Sequence, residues 1–412
     1  MMPSRITWRV SSIPPSTTSA AAPPASNTAG SAPQRAVIVG SGLIALGLAG
    51  TLAGSGPRLA ILLAIGIGCG ATLYHAALGF TSAYRRLLVA RDASGVEAQL
   101  LMLAVATLLF APALASGTSF GTPVIGANAP VGWQVAIGAF IFGLGMQLGD
   151  GCGSGTLYKV GGGSARMVVT LVTFCAGGFW ASLHMAAWQG LPNLGTIVLG
   201  ETMGWGAAAA TQLAFLAMLY VVLRTLRREK IAGRSLPTPG WRRIATGPWP
   251  LAVGALLLAL LNLATLAVAG HPWSITWGFT LWGAKMARFA GWNSAGDGFW
   301  SGDFQREALE APILHDITSV MNIGIILGAV LASGLAGRFG TTVRIPLRSL
   351  VAAALGGLLM GYGARIAYGC NIGAFFSGVA STSLHGWLWI AAALVGTSLG
   401  IRLRPAFHLS NG

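Results

Sequence analysis

The sequence predicts an all-α polytopic membrane protein made of two inverted-topology halves with broken and re-entrant helices, on three observations. Of the 412 residues, 54% are hydrophobic and only 8% are charged, with a mean hydropathy of +0.69. Soluble domains carry about 25% charged residues, so this composition excludes an ordinary soluble fold. Apolar runs long enough to cross a bilayer recur along the chain. One glycine-rich motif that contains a cysteine occurs twice.

The first segment, residues 1–35, is rich in Ser, Thr, Ala and Pro and has no apolar run. This composition buries too little apolar surface to offset the entropy of ordering the chain, so we expect a disordered cytoplasmic tail. Prolines interrupt the places where the apolar region of a cleaved signal peptide would lie.

Ten apolar runs follow, and each is long enough to cross about 30 Å of hydrocarbon as a helix. The predicted spans cover residues 37–54, 59–78, 96–115, 132–150, 167–187, 197–223, 249–269, 313–336, 349–368 and 385–402. The stretch 273–290 is apolar but too short to cross the membrane, so we expect a re-entrant segment there.

The basic residues predict the orientation of these spans. The connection 224–243 contains seven basic residues and one acidic residue, the pattern expected of a cytoplasmic loop. Counting outward from this loop places both termini in the cytoplasm and the acidic segment 297–310 outside. We therefore predict a first transmembrane half, 36–223, a basic cytoplasmic linker, 224–248, and a second transmembrane half, 249–412.

The duplicated motif reads G-x-G-x5-G-C-x-x-G, and its two copies superpose at one constant offset along the chain. The matched positions are Gly143, Gly145, Gly151, Cys152 and Gly155 in the first copy, and Gly361, Gly363, Gly369, Cys370 and Gly373 in the second. In the predicted topology the spans that lead into Cys152 and Cys370 run in opposite directions. Inverted repeats of this kind are common in secondary transporters. Residues 79–81 and 278–280 both read Gly-Phe-Thr and form a second, weaker sequence repeat.

Glycines also predict where the spans are broken. Four glycines alternate with other residues from Gly149 to Gly155, and each costs about 1 kcal/mol in a helix relative to Ala. We expect the chain to unwind there and to restart as a short helix through Lys159. Broken backbone at membrane depth is tolerated only where protein buries it or where it lines a cavity, so the breaks indicate a pathway.

A helix that restarts after each break would present unpaired N–H groups and a partial positive charge, which favours an anion. The predicted backbone cradle consists of Gly151, Gly153, Gly155, Gly369, Asn371 and Gly373. Thiols are soft, polarisable, weak donors that suit a sulfur atom better than a hard oxyanion. Cys152 and Cys370 are therefore the predicted contacts for a small sulfur-containing anion.

Three further residues are candidates with open alternatives. Arg365 could hold the anion or brace a loop carbonyl, because a charge inside the membrane is costly unless it has such a role. Asp150 could relay protons or form a salt bridge at the cytoplasmic mouth. Cys69 could join the site or simply pack, as buried cysteines usually do.

Other site classes receive no support from the sequence. The four cysteines form no C-x-x-C pair and no Cys/His spacing typical of zinc, so we predict neither a metal nor a cofactor. Nucleic-acid binding is excluded because the basic residues lie between apolar spans and not on one face of a soluble fold.

Both cysteine motifs, the first continuing through Tyr158 and the second through Trp387, resemble those of the YeeE/YedE sulfur-transport family of bacterial inner-membrane proteins. The resemblance covers about residues 60 to 404. It implies thiosulfate import between facing cavities that meet at a constriction lined by cysteines. Gly79 stands where family members often carry a further cysteine, so a related sulfur or selenium species is an alternative substrate.

Two other functions compete with transport. The chain could be a membrane redox or sulfur-transfer protein that uses Cys152 and Cys370 as a dithiol and passes sulfur to a cytoplasmic carrier protein. It could also be an assembly subunit, although that role would not require the repeated breaks. We expect a transporter in the lipid bilayer and not an enzyme.

Overall fold

The computed structural model describes residues 32–119, 121–226, 240–340 and 344–411. Most of the predicted tail and the centre of the basic linker lie outside these ranges. Helices dominate the described residues and include ten that are long and apolar enough to cross a membrane. These ten coincide one for one with the ten predicted spans, so the prediction of a polytopic all-α protein is confirmed.

In the first part of the chain, the described residues form ten helices and four short strands. The helices are α1 (Arg35–Ser55), α2 (Pro57–Ala76), α3 (Phe80–Ala90), α4 (Ser94–Ser116), α5 (Trp133–Gly149), α6 (Gly153–Gly161), α7 (Ala165–Ser182), α8 (Met185–Gln189), α9 (Leu199–Met203) and α10 (Trp205–Leu226). The strands are β1 (Thr118–Ser119), β2 (Thr122–Pro123), β3 (Pro130–Gly132) and β4 (Asn193–Thr196). β1 pairs with β2 and β3 with β4, both antiparallel, and these pairs lie in the connections between helices.

The second part also contains long and short helices. Its helices are α11 (Trp241–Thr246), α12 (Leu251–Ala269), α13 (Thr276–Phe289), α14 (Asp303–Glu310), α15 (Ile317–Leu335), α16 (Leu347–Ile366), a π-helix (Asn371–Phe376), α17 (Ser377–Ala380) and α18 (Leu384–Leu403). Short 3₁₀ turns cover Ile313–His315 and Arg404–Phe407. With 14 residues, α13 is too short to span the membrane.

Helix packing follows the same order in both parts. α5 packs against α18 and α16, while α16 packs against α7 and α5. α2 packs against α15, and α4 against α12. If α2, α4, α5 and α7 are matched with α12, α15, α16 and α18, the pair α5–α18 maps onto α16–α7, α2–α15 maps onto α12–α4, and α5–α16 maps onto itself.

The crossing of α5 and α16 depends on glycines at matched positions. A Cβ atom built on Gly145 would lie 2.8 Å from the carbonyl oxygen of Gly356, and one on Gly363 would lie 2.5 Å from that of Gly138. Gly145 and Gly363 belong to the two motif copies, and Gly138 and Gly356 are separated by the same offset as those copies. Only glycine lets the two backbones approach this closely, as small residues do in membrane helix packing.

Aromatic residues fill the centre of the molecule next to this crossing. Phe142 of α5 packs edge-on against Phe174 and tilts against Trp389, and Phe174 packs against Phe279. All four side chains are almost fully buried. The main core therefore joins helices from both parts of the chain.

Candidate functional site

Both predicted breaks are present, at matched positions. α5 ends at Gly149 and is followed by Asp150 with a left-handed φ of 62°. α16 ends at Ile366, and Tyr368 has a left-handed φ of 60°. The first prediction was wrong in extent, however, because Gly153 lies within the first turn of α6. The unwound backbone is therefore shorter than the run of glycines.

The glycine before each cysteine allows a tight turn against the next helix. A Cβ atom on Gly151 would lie 3.3 Å from the amide nitrogen of Thr156, and one on Gly369 would lie 2.7 Å from that of Ala374. These two contacts are related by the same offset as the motif copies. Any larger residue would press on the backbone amides that open the following helix.

The Cys152 thiol caps α6. Its Sγ atom accepts a hydrogen bond from the Gly155 amide at 3.4 Å and lies 3.4 Å from the Ser154 hydroxyl oxygen. The side chain is only 1% exposed. Cys152 therefore lies at the positive end of a short helix.

Cys370 is placed in a similar way at the start of the π-helix. Its thiol is fully buried and makes no capping hydrogen bond among the described residues, although the Ile372 and Gly373 amides interact with it electrostatically. A Cβ atom built on Gly153 would lie 3.0 Å from Cys370 Sγ, so the two breaks are in contact. The two cysteine thiols lie within electrostatic range of each other, and both are free cysteines.

Asn371 adds polar groups to this meeting point. Its side-chain amide donates to the Tyr84 hydroxyl at 3.5 Å, which ties the second break to α3. Its Oδ1 atom is buried without a hydrogen-bond partner among the described residues. Trp389 donates from Nε1 to the Gly369 carbonyl at 3.2 Å and holds the turn in place.

Arg365 on α16 packs against the segment before α14. Its guanidinium group sits over the ring of Phe299 at 4.7 Å, a cation–π contact. Its Nε atom is buried and has no hydrogen-bond partner among the described residues. The Phe299 ring thus stabilises the Arg365 guanidinium group, and the Nε donor has no acceptor among the described residues.

Asp150 forms ion pairs, the second of its two predicted alternatives. Its carboxylate lies 3.0 Å from Arg85, 3.2 Å from Lys159 and 3.3 Å from Arg404. Lys159 also donates to the Asp150 backbone carbonyl. The carboxylate is thus neutralised by three cations beside the first break.

A cavity of about 450 Å³ approaches the second break from the side of α14. Its lining includes Ser274, Trp277, Phe304, Glu307, His271 and His315. Ser274 also faces Gly373, because a Cβ atom there would lie 3.5 Å from the Ser274 hydroxyl oxygen. One wall of the cavity therefore touches the backbone just after Cys370.

The other two cysteines lie on α2 and α7, helices that do not contain the breaks. Cys69 is fully buried in the main core on α2, where neighbouring Gly66 and Gly70 pack against α15. Cys175 lies on α7, whose backbone there packs against Gly283 of α13. The described residues hold no group of three potential metal ligands.

Comparison with known proteins identifies the family. The pattern of the family described as Sulphur transport matches residues 75–399, most of the chain. The chain is a member of the sulphur transport family. Membership confirms the resemblance found in the sequence and places the chain in a transport family, not an enzyme family.

This member of the sulphur transport family also resembles individual curated proteins. It is 28% identical over 348 residues to the thiosulfate transporter TsuA of Spirochaeta thermophila, covering 79% of this chain and 93% of that protein. It is 26% identical over 278 residues to TsuA of Escherichia coli, covering 63% and 71%. It is 29% identical over 163 residues to the probable transporter YedE of Salmonella typhimurium, covering 39% of this chain and 40% of that protein.

The sequence did not predict two residues that the structure places beside the second break. Tyr84 on α3 reaches Asn371, and Ser274, just before α13, reaches Gly373. The repeated Gly-Phe-Thr sequences could have identified both residues. The first copy marks α3, which contains Tyr84, and the second lies in α13, which Ser274 precedes. That signal alone does not specify which neighbouring polar side chains face the breaks.

Proposed function

We propose that this protein imports thiosulfate, or a closely related small sulfur-containing anion, across the bacterial inner membrane. One observation carries the proposal: two free, buried cysteines at helix starts, each after a break, belong to backbone turns that touch at Gly153. Similarity to two transporters named for thiosulfate supports the choice of substrate.

The thiols suit the terminal sulfur of thiosulfate because both partners are soft and polarisable. Amides supply the complementary contacts for its oxygens. The Gly155 amide already points at Cys152 Sγ, and those of Ile372 and Gly373 lie near Cys370. Neutral donors bind an anion without holding it as strongly as buried lysines would, which permits release.

The path begins, in this proposal, at the cavity lined by Ser274. That cavity lies beside the acidic α14 segment, which the positive-inside rule places outside the cell. From Ser274 the anion would pass Gly373 to Cys370 and then to Cys152. Arg365, with its unpartnered Nε, would attract anions to the outer side.

The two halves are proposed to be inverted repeats, with the motif copies entering the membrane centre from opposite sides. Matched helix pairs and glycine contacts that recur at the offset of the motif copies support this arrangement. Inverted repeats place the binding site at their interface. The predicted cytoplasmic termini and linker complete the topology.

Uptake of radiolabelled thiosulfate by liposomes that contain only this purified chain tests the proposal. We expect saturable uptake that excess unlabelled thiosulfate competes away and that excess phosphate, a hard oxyanion, leaves unchanged. Uptake no faster than in protein-free liposomes would overturn the assignment. Equal competition by phosphate would overturn the role of the thiols in selectivity.

A further inference from the structure

The carboxylate of Asp150 lies in a cluster with more positive than negative charge. Arg85, Lys159 and Arg404 pair with it directly, and Arg166 is near enough to interact electrostatically. Four cations therefore surround one carboxylate. We call these five residues the Asp150 cluster.

Part of the positive charge is used to hold the end of α5. Arg166 donates to the carbonyl oxygens of Leu148 and Gly149 at 2.7 and 2.8 Å. Arg404 donates to the Gln147 carbonyl at 2.6 Å. Cations are favourable at a helix C-terminus, so these two arginines have a structural reason to be present.

Arg85 and Lys159 are different. Arg85 contacts Asp150 and the side chain of Gln147 through one nitrogen, Nη1. Lys159 contacts only Asp150 in the bonds described, through the backbone carbonyl and the carboxylate. The Asp150 and Lys159 side chains are each 32% exposed. The Arg85 side chain is only 13% exposed. An incoming anion could therefore reach Lys159 first, without unfolding the end of α5.

The cluster is directly connected to the proposed substrate site. Asp150 lies two residues before Cys152, and Lys159 lies on α6, the helix that Cys152 caps. Arg85 follows Tyr84, whose hydroxyl accepts from Asn371. Two separate elements thus carry cations of the cluster next to groups at the meeting point of the breaks.

We propose that the Asp150 cluster is a second anion site, used on release to the cytoplasm, and that the Asp150 carboxylate is a tethered competitor for it. The inference rests on the proposed function, because it assigns the step after passage of the cysteines. The departing anion takes the place of the carboxylate on Arg85 and Lys159. The carboxylate then returns and displaces it, which prevents the cations from trapping a dianion.

Steady-state thiosulfate uptake by the D150N variant in liposomes tests this step. Without the competing charge the anion is held longer, so we expect KM and the maximum rate each to fall about fivefold. The K159Q variant removes a cation and is expected to raise KM. A purely structural cluster would lower the maximum rate in both variants and leave KM unchanged, which would overturn the proposal.

A binding assay keeps this test separate from transport. Sodium sulfate and sodium thiosulfate are added to detergent-purified protein, and the thermal unfolding midpoint is measured. We expect either anion to raise the midpoint of D150N more than that of the wild type, and that of K159Q less. Equal anion-induced shifts of the midpoint in all three proteins would overturn the second anion site, even if thiosulfate uptake is normal. The expected shifts together with no thiosulfate uptake would support the second anion site and refute the proposed function.

The D303N variant is the matched control for both assays. Asp303 pairs with Arg306 at 2.6 Å, but its side chain is 95% exposed on α14, a helix that contributes no residue to the cluster. We expect its KM, maximum rate and anion-induced shifts to equal those of the wild type. If D303N reproduced the effects of D150N, general surface charge would explain them and the proposal would be wrong.

Discussion

The Sγ atom of Cys370 rests against Gly153, so the second break touches the residue that follows Cys152. This contact joins two segments that lie far apart in the chain. It places both cysteine turns at one point in the core, where helices from both parts of the chain meet. The transport mechanism proposed above depends on that shared location.

The Gly153→Ala substitution is predicted to impair transport more than folding. Its Cβ atom would lie 3.0 Å from Cys370 Sγ, so the thiol must shift. Small displacements of groups that contact a substrate can cost about tenfold or more in rate, and we expect a loss of that size in thiosulfate uptake. Gly68→Ala is the control, because its Cβ atom would meet only Leu261 side-chain atoms at 3.3 Å. Equal uptake by the two variants would contradict the prediction.

The glycines at the α5–α16 crossing are predicted to be essential for stability. Alanine at Gly356 would place a Cβ atom 2.2 Å from the Gly149 amide nitrogen, which requires the helices to separate. Overpacking of this kind costs on the order of 1–3 kcal/mol or more. We expect a lower thermal unfolding midpoint in detergent for Gly356→Ala and also for Gly138→Ala, its counterpart.

Gly47→Ala on α1 is the control for these two substitutions. Gly47 has no neighbouring heavy atom within 4 Å of a Cβ position, and alanine favours a helix by about 1 kcal/mol over glycine. Its midpoint should stay equal or rise. A fall as large as that of Gly356→Ala would show that close packing at the crossing is not the cause.

Much of the fold could be predicted because its signals are local. Apolar length predicted the ten spans, the conformational cost of glycine located the first break, and the duplicated motif located the second. The extent of the first break was not predictable, because Gly153 is helical in a turn that Cys152 caps through the Gly155 amide. This capping hydrogen bond offsets the free-energy cost of placing glycine in the first turn of α6.

The candidate site was predictable only in part. The motif spacing identified Cys152 and Cys370, but the contact of Cys370 with Gly153 joins segments far apart in the chain and depends on tertiary packing. The aromatic support of Arg365 by Phe299 comes from a distant segment. Likewise, three of the cations around Asp150 lie on α3, α7 and at the end of α18, so the cluster exists only after folding.

The proposed topology predicts opposite accessibility for two exposed positions. With the four native cysteines changed to alanine, a cysteine at Asp303 should react with a membrane-impermeant maleimide added to intact cells. A cysteine at Arg348, just inside the start of α16, should react only after the membrane is opened, since basic loops stay in the cytoplasm. Reaction of both in intact cells, or the reverse order, would contradict the inverted arrangement.

Transport without sulfur transfer predicts that the thiols of Cys152 and Cys370 remain free during turnover. Both are free cysteines in the structure. Intact-protein mass spectrometry after incubation with thiosulfate should therefore give the mass of the unmodified chain. A persulfide or an internal disulfide at these residues would instead favour the redox or sulfur-transfer alternative.

The most direct test of the central claim compares thiosulfate uptake by the wild type, Cys152→Ala and Cys370→Ala in liposomes, with Cys175→Ala as the control on α7. We expect both site variants to insert and elute as the wild type does but to lose about tenfold or more of the uptake rate, equivalent to at least about 1.4 kcal/mol. Cys175→Ala should keep the wild-type rate. Undiminished uptake by both site variants would contradict the central claim.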